Sequence, residues 1–298
     1  MRVPPFLQSG ARVALVAPAG PLRDEGDLER ALATTTKLGW EPVVGSYVLE
    51  RDGYLAGSDA HRVADFNRFA ADDSIDGIWC IRGGYGSMRL LDQLDYDAWR
   101  RRPKTLIGYS DITALHAAIG ARAGVVTFHG PTARGHLTDF SETSLRSAVV
   151  SGGEPCGAAA SATVLRGGRA RGRLVGGNLA LVASLFGTPF APDLDGAILV
   201  LEDVNEAVYR IDRMLTQLRL AGALDRLAGI AFGHFTDIPA EPANEQRSLS
   251  NVLREVARRC DVPCVANIPF GHIADQWTVP LGATAELDAD AGTVAVER

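Results

Sequence analysis

Short apolar runs alternate with helical patterns along the first half of the chain. Strands are predicted in RVALVAPAG, EPVVGS, DGIWCIRGG, TLIGYS and VVTFHGP, and helices over about 23–38, 59–71 and 111–122 and from about Ser141. Strands that alternate with helices in this way predict an α/β fold built on a doubly wound parallel sheet with helices on both faces. Such a sheet carries its functional residues at the carboxyl ends of its strands.

The second half of the chain has its own set of elements. Strands are predicted in AILVLEDV and GIAFGHF, helices in GGNLALVASLFGTPF, AVYRIDRMLTQLRLAG and SLSNVLREVARRC, and a hairpin in ATAELDADAGTVAVE. Between the halves, residues 151–173 are rich in Gly, Ala and Ser and lack sustained periodicity, which is typical of a connection. We therefore predict an N-terminal α/β domain over 1–152, a linker over 153–173 and a smaller mixed α/β C-terminal domain over 174–298.

Composition and charge narrow the class of partner. The 298 residues are 46% hydrophobic and 22% charged, which is enough for a sizeable core. The net charge of −6, with no block of like charges, argues against nucleic acid as the partner and favours a small molecule or a peptide. No apolar run approaches the roughly 20 residues of a membrane span, and the N-terminus lacks the ordered parts of a signal peptide. We expect a cytoplasmic protein without membrane contact.

Neither a metal site nor a cofactor site is predicted. The four cysteines are too unevenly spaced for a disulfide framework or a zinc ribbon. No two histidines stand four residues apart and HExxH is absent, which disfavours a zinc hydrolase. RGGYGSMRLL at 82–91 is a glycine-rich turn whose backbone N–H groups suit an oxyanion or a carboxylate, but its glycines do not spell GxGxxG. A plain tight turn is the competing interpretation.

Ser110 stands where an apolar strand meets a helix, in TLIGYSDITALHAAI. This position raises the hydroxyl above the sheet edge and directs the first N–H groups of the helix at whatever reacts there, which is the geometry of a nucleophile elbow. The sequence G-Y-S-D is not the full G-x-S-x-G. A helix-capping role for the hydroxyl is therefore the alternative.

A serine nucleophile needs a histidine base and a carboxylate that orients the base. His272, in NIPFGHIADQWTVPLG, follows a glycine in a polar loop and is the preferred base, while His129 and His234, which end apolar strands, stay open. Glu202 ends the apolar strand AILVLEDV, where a carboxylate can be held and directed. The competing interpretation, that acids here favour the start of the next helix, suits Asp203 better than Glu202.

Six sequence blocks occur in order over nearly the whole chain. They are VAPAGP at 16–21, RGGYGSMRLL at 82–91, GYSDITAL at 108–115, GGNLALVASLFGTP at 176–189, LEDVNEAVYRIDRMLTQL at 201–218 and FGHIADQWTVPLG at 270–282. Together they resemble the LD-carboxypeptidase family of serine peptidases, which includes the microcin C self-immunity peptidases. The resemblance implies that Ser110 is the nucleophile, Glu202 the triad acid and His272 the base. It also implies an oxyanion hole made by the backbone N–H of Asp111 and an N–H from the Gly83–Gly84 turn.

The same resemblance implies a reaction. The expected activity is removal of the terminal D-Ala from a muropeptide tetrapeptide by a homodimer that needs no cofactor. The alternative is a microcin C-type immunity peptidase, which acts on a peptidyl-nucleotide and stacks aromatic residues on its adenine. Here the GTPF segment offers Phe190 with no tryptophan nearby, which favours the muropeptide. A non-catalytic ligand-binding homologue is a further hypothesis, and an amidotransferase-like or oxidoreductase function ranks last.

Side chains that bind the substrate are predicted from their places in or near the matched blocks. They are Arg82, Tyr85, Asn178 and Arg213. An arginine fork suits a free carboxylate or the diaminopimelate arm of a muropeptide. Each of the four equally suits a structural role, and Arg213, within a helical run, can pair with an acid on its own surface.

Overall fold

The computed structural model describes residues 1–240 and 247–297. Its first part alternates strands and helices as the sequence predicts. The elements are β1 (Arg12–Val16), α1 (Glu25–Lys37), β2 (Glu41–Val44), α2 (Asp59–Ala71), β3 (Gly77–Cys80), α3 (Tyr96–Arg101), β4 (Thr105–Gly108), α4 (Thr113–Ala123), β5 (Thr127–His129) and α5 (Asp139–Arg146). Short 3₁₀ segments over 87–93 and 110–112 follow β3 and β4.

The second part begins with strands and continues with alternating elements. They are β6 (Gly157–Ala158), β7 (Thr163–Arg166), β8 (Arg169–Asn178), α6 (Leu179–Leu185), β9 (Ala197–Val204), α7 (Val208–Leu220), β10 (Gly229–Thr236), α8 (Leu249–Cys260), β11 (Cys264–Ala266), β12 (Val279–Leu281), β13 (Thr284–Asp288) and β14 (Thr293–Val296). The predicted terminal hairpin is confirmed, since β13 pairs antiparallel with β14.

The first sheet has six strands in the order β12-β5-β4-β3-β1-β2, and β1 to β5 are parallel. Successive side chains of a strand point to opposite faces, so Ala14 and Val16 join one core cluster while Val13 and Leu15 join another. Both faces are therefore covered by apolar side chains. The predicted parallel-rich sheet with helices on both faces is confirmed.

The second sheet is mixed, as predicted for the C-terminal part. Its eight strands run in the order β6-β14-β13-β8-β9-β10-β11-β7, with β8 to β11 parallel and the others antiparallel. Leu199 and Leu201 of β9 belong to a core cluster that includes residues of α6, α7 and α8, while Ile198 and Val200 belong to a cluster with Trp277. This sheet is thus also buried on both faces.

The stretch predicted as a linker, 153–173, contributes β6, β7 and the first half of β8 to the second sheet. Its arginines alternate along β8 and stay exposed in ion pairs, such as Arg169 with Asp288 and Arg171 with Glu297. The apolar alternation that marks a buried strand is therefore missing from the sequence. In addition, β12 of the second part pairs antiparallel with β5 in the first sheet. The limits proposed for the two domains stay a prediction.

The topology fixes where functional side chains can meet. Because β1, β3, β4 and β5 are parallel neighbours, the loops that follow them leave the sheet at one edge. Within residues 1–240 and 247–297, none of the helices combines the length and the apolar character needed to cross a membrane.

Candidate active site

Ser110 lies in a strained turn between β4 and α4. Residues Thr105–Gly108 are fully buried, Tyr109 is extended, and Ser110, the first residue of the 3₁₀ segment, adopts φ +65°. A left-handed conformation costs a non-glycine residue about 1–2 kcal/mol and is typical of a nucleophile elbow. No side-chain hydrogen bond caps α4, which leaves the alternative capping role without support.

The glycine turn after β3 lies directly against Ser110. A methyl group added at Gly83 would stand 3.0 Å from Cβ and 3.3 Å from Oγ of Ser110. The carbonyl of Gly83 accepts the N–H of Gly20 at 3.0 Å. Because C=O and N–H of a trans peptide point in opposite directions, the N–H of Gly84 is directed away from Gly20. The glycine turn therefore packs against Ser110, and the N–H of Gly84 takes no part in the contact with Gly20.

Asp111 ties this glycine turn to the serine turn. Its carboxylate is buried and accepts the N–H of Ser87 at 2.8 Å and a backbone hydrogen bond from Gly86. The hydroxyl of Ser87 in turn donates to the carbonyl of Asp111. Burial raises the pKa of Asp111, and the hydrogen bonds from Ser87 and Gly86 oppose that rise. The side chain of Asp111 thus holds the glycine turn against the turn that contains Ser110.

Glu202 and His272 form a directed pair. Nδ1 of His272 lies 2.7 Å from Oε2 of Glu202, whose side chain has no exposed surface, whereas the imidazole is 19% exposed. This contact occupies Nδ1 of the ring and leaves Nε2, on the other side of the imidazole, outside the hydrogen bond to Glu202. The second oxygen of Glu202 is buried and has no partner among the described residues. Among the described residues, His272 is therefore the hydrogen-bond partner of the Glu202 carboxylate.

Gly271 allows the histidine loop to approach Glu202. Its φ is +111°, and a methyl group built on it would lie 2.7 Å from both Cβ and Oε2 of Glu202. Only glycine adopts this backbone without cost and leaves room for the carboxylate. The F-G-H segment thus owes its contact with β9 to the absence of a side chain at this position.

Tyr109 connects the two halves of the site. Its ring centroid lies 4.8 Å from that of His272, and Tyr109 is covalently next to Ser110. The strand-to-helix turn of the first sheet and the histidine loop of the second part therefore meet here. Burial raises the pKa of Tyr109, and the nearby charge of Glu202 adds to the rise, so the phenol stays neutral.

The other histidines that stayed open have different surroundings. His129 is fully buried 4.3 Å from the ring of Phe270, and burial lowers its pKa well below the ordinary value, so it is uncharged. Burial also lowers the pKa of His234. His61 has a carboxylate partner, Glu50 at 2.7 Å, but both side chains are more than a third exposed. His272 is the histidine paired with a fully buried carboxylate.

Two of the predicted substrate-binding residues are engaged within the protein. Asn178 is buried, accepts the N–H of Leu181 and donates to Asp203 at 2.8 Å, which caps α6 and links β8 to β9. Burial raises the pKa of Asp203 to about 6. Arg213 is exposed on α7 with its guanidinium 5.2 Å from the ring centroid of Tyr209. No hydrogen bond in the described chain joins Arg213 to Ser110 or His272.

The other two flank the Gly83–Gly84 turn, which packs against Ser110. Arg82 directly precedes the glycine turn and is half-buried, and its guanidinium donates to the carbonyl of Pro21. Tyr85 is exposed and contacts Tyr54 edge to face, with ring centroids 5.5 Å apart. Tyr54, which sequence reasoning did not select, therefore stands beside the predicted residue.

Sequence reasoning also missed Arg134. This residue lies five positions after β5, at the same sheet edge as Ser110, and its guanidinium is 3.2 Å from Asp27. The position of Arg134 after a parallel strand could have marked it as a candidate, but the residue lies outside the six sequence blocks that resemble the family. Within the described chain, no group of three or more His, Cys, Asp or Glu side chains is arranged to hold a metal ion.

Comparison with known families and proteins agrees with this arrangement. Residues 13–130 match the LD-carboxypeptidase N-terminal domain and residues 171–287 match the LD-carboxypeptidase C-terminal domain. A putative carboxypeptidase of Streptomyces coelicolor is 43% identical over 99% of this chain and 96% of that protein. A murein tetrapeptide carboxypeptidase of Pseudomonas aeruginosa is 35% identical over 94% of each chain.

Solved structures show the same fold. The muramoyltetrapeptide carboxypeptidase of Oxalobacter formigenes superposes with a TM-score of 0.84 at 30% identity, covering 96% of this chain and 98% of that one. The microcin C7 self-immunity protein MccF superposes with a TM-score of 0.89 at 25% identity, covering 100% and 99%. The chain therefore belongs to the LD-carboxypeptidase family, which includes MccF, and is a serine-type hydrolase.

Proposed function

We propose that this protein is a serine carboxypeptidase that hydrolyses an L,D amide bond and releases the terminal D-Ala of a muropeptide tetrapeptide in cell-wall recycling. The observation that carries the proposal is the buried Glu202–His272 pair beside the strained turn of Ser110. The murein and muramoyl tetrapeptide carboxypeptidases among the similar proteins support the substrate class.

In the proposed mechanism, Nε2 of His272 takes the proton of Ser110 as Oγ attacks the carbonyl carbon of the scissile amide. Glu202 holds the imidazole through Nδ1 and stabilises the positive charge that develops on it. His272 then gives the proton to the nitrogen of the leaving D-Ala, and the C–N bond breaks. An acyl-enzyme on Ser110 remains, and water activated by His272 hydrolyses it.

The oxyanion of each tetrahedral intermediate needs preorganised donors. We assign this role to the backbone N–H groups of Asp111 and Gly84, with Gly83 shaping the turn. The contact between Gly83 and Ser110 supports this assignment, and so do the hydrogen bonds by which Asp111 holds Gly86 and Ser87. Because the donors belong to the backbone, replacing the Asp111 side chain changes their position and not their identity.

A microcin C-type activity is the second candidate, favoured by the MccF superposition. One MccF structure holds aspartyl sulfamoyl adenosine. In this chain, however, Phe190 is half-buried and stacks on Tyr96 with ring centroids 6.3 Å apart. Its ring is thus occupied within the protein, which supports the muropeptide over the nucleotide. A non-catalytic role would instead leave every substrate intact.

The test compares three compounds with the purified protein. They are the L,D tetrapeptide, its diastereomer ending in L-Ala, and an aspartyl-adenylate mimic with a hydrolysable amide, and mass spectrometry identifies the products. The proposal predicts release of D-Ala from the first compound and at least tenfold slower cleavage of the other two. Preferential cleavage of the nucleotide compound would replace the proposal with the second candidate, and no cleavage of any would favour the non-catalytic role. The cytoplasmic location and the homodimer stay predictions.

A further inference from the structure

Four arginines lie around the loop between β1 and α1 and the first turn of α1. The guanidinium of Arg82 donates to the carbonyl of Pro21, and that of Arg51 donates to the carbonyl of Leu22 at 2.6 Å. Arg23 lies in the same loop, and its backbone N–H donates to Asp27. Arg134 approaches from the other side, with Nη1 3.2 Å from the carboxylate of Asp27. We call Arg23, Arg51, Arg82 and Arg134 the arginine cluster.

The arginine cluster carries more positive than negative charge. Asp27 is fully buried and is shared between Arg134 and Arg30. In the part of the chain that the structure describes, Arg23, Arg51 and Arg82 make no ion pair with a carboxylate. Burial lowers the pKa of Arg82, and the neighbouring charges of Arg134, Arg23 and Arg51 lower it further, while the charge of Asp27 opposes them. This local excess contrasts with the net charge of −6 of the whole chain.

The cluster lies next to the reacting serine. Arg82 directly precedes Gly83, against which Ser110 packs. A methyl group built on Gly20 would stand 3.7 Å from Cζ of Arg82 and 3.1 Å from the carbonyl oxygen of Gly83. Gly20 is therefore a neighbour of both the Arg82 guanidinium and the glycine turn. The charge of Arg134 also acts on Tyr109, the residue before Ser110. The Arg82 guanidinium and the charge of Arg134 therefore lie near the two turns that surround Ser110.

We propose that Arg82 and Arg134, supported by Arg23 and Arg51, bind a carboxylate of the substrate while Ser110 attacks. This inference rests on the proposed function and names a group that the substrate must carry. Guanidinium groups bind carboxylates through two parallel hydrogen bonds, and the nearby arginines replace the solvent that the anion loses. The carboxylate is either the terminal one of the leaving D-residue or the free one of a diaminopimelate side chain.

The experiment measures binding separately from hydrolysis. Ser110→Ala protein is titrated by calorimetry with three tetrapeptides: one with both carboxylates free, one amidated at the C-terminus and one amidated at the diaminopimelate carboxylate. We expect amidation of the recognised carboxylate to weaken binding by about 10- to 100-fold, as for a lost charge-assisted pair. Which amide binds weakly identifies the carboxylate.

The variants then test the arginines themselves. Adding Arg82→Ala or Arg134→Ala to the Ser110→Ala protein should bring the acid-to-amide ratio close to one, while Arg82→Lys should keep part of it. Arg169→Ala, which removes an 83% exposed arginine of β8, should leave the ratio unchanged. Equal affinity for all three tetrapeptides, or an unchanged ratio in folded Arg82→Ala and Arg134→Ala proteins, would overturn the inference. Hydrolysis by the parent protein of all three tetrapeptides at one rate would overturn it too, while leaving the proposed function intact.

Discussion

Replacing Gly271 with alanine should disable the site while the protein stays folded. The added methyl group would start 2.7 Å from Cβ and Oε2 of Glu202, whereas ordinary contact begins at 3.4 Å. The histidine loop must therefore move by about 0.7 Å or more, and misplacements near 1 Å cost on the order of 100-fold in rate. The φ of +111° adds on the order of 1–3 kcal/mol of backbone strain.

The assay is kcat/KM for D-Ala release together with the midpoint of thermal unfolding. Gly10→Ala is the matched control, since Gly10 also has a positive φ, +79°, but no atom lies within 4 Å of the added methyl. Gly10 also precedes β1, at the end of the strand opposite to the one that faces the active site. Both variants should lose stability through backbone strain, and only Gly271→Ala should lose about 100-fold in kcat/KM. Activity of Gly271→Ala within threefold of Gly10→Ala would refute the argument that this close approach positions His272.

Two further predictions address the acid and the buried histidines. Glu202→Gln should lower kcat by on the order of 10⁴-fold with little change in KM, because the amide no longer fixes the tautomer or stabilises the imidazolium of His272. The control is Glu50→Gln, which changes the carboxylate of the exposed His61 pair. Equal losses of kcat in the two variants would refute a catalytic role for Glu202. Burial lowers the pKa of His116 from 6.5 to about 4. Below pH 6.5 the unfolded chain therefore binds a proton at His116 that the native protein does not bind. The free energy of unfolding then falls by up to ~3 kcal/mol as the pH drops to 4. His116→Gln keeps a donor for the carbonyl of Gly108. Its free energy of unfolding, measured with urea, should fall less between pH 7.5 and pH 4.5 than that of the parent protein. An equal fall in parent and variant would exclude the contribution of His116.

The sequence allowed the first sheet to be predicted because its strands are buried on both faces. Continuous apolar runs such as those of β3 and β4 can be recognised as strands without knowledge of the strands with which they pair. The pairing of β12 with β5 was beyond reach, since it joins segments about 150 positions apart and neither edge has a distinctive pattern. The first half of β8, within the predicted linker, was missed because its alternating arginines are exposed and interrupt the apolar pattern.

The site divides in a similar way. Ser110 and His272 follow apolar segments at positions where chemistry is expected, so their places were predictable. The positive φ of Ser110 and the approach of Gly271 to Glu202 depend on how distant segments pack. The arginine cluster was not predictable either, because Arg51, Arg82 and Arg134 follow different strands and meet around the loop after β1 and the first turn of α1.

The most direct test of the account is mass spectrometry of a purified L,D tetrapeptide incubated with the parent protein and with Ser110→Ala. Thermal unfolding of both proteins confirms that the variant is folded. We expect loss of one D-Ala with the parent protein and none above the uncatalysed background with Ser110→Ala. Release of D-Ala by folded Ser110→Ala at the parent's rate would contradict the assignment of Ser110 as the nucleophile, and no release by the parent would contradict the proposed substrate.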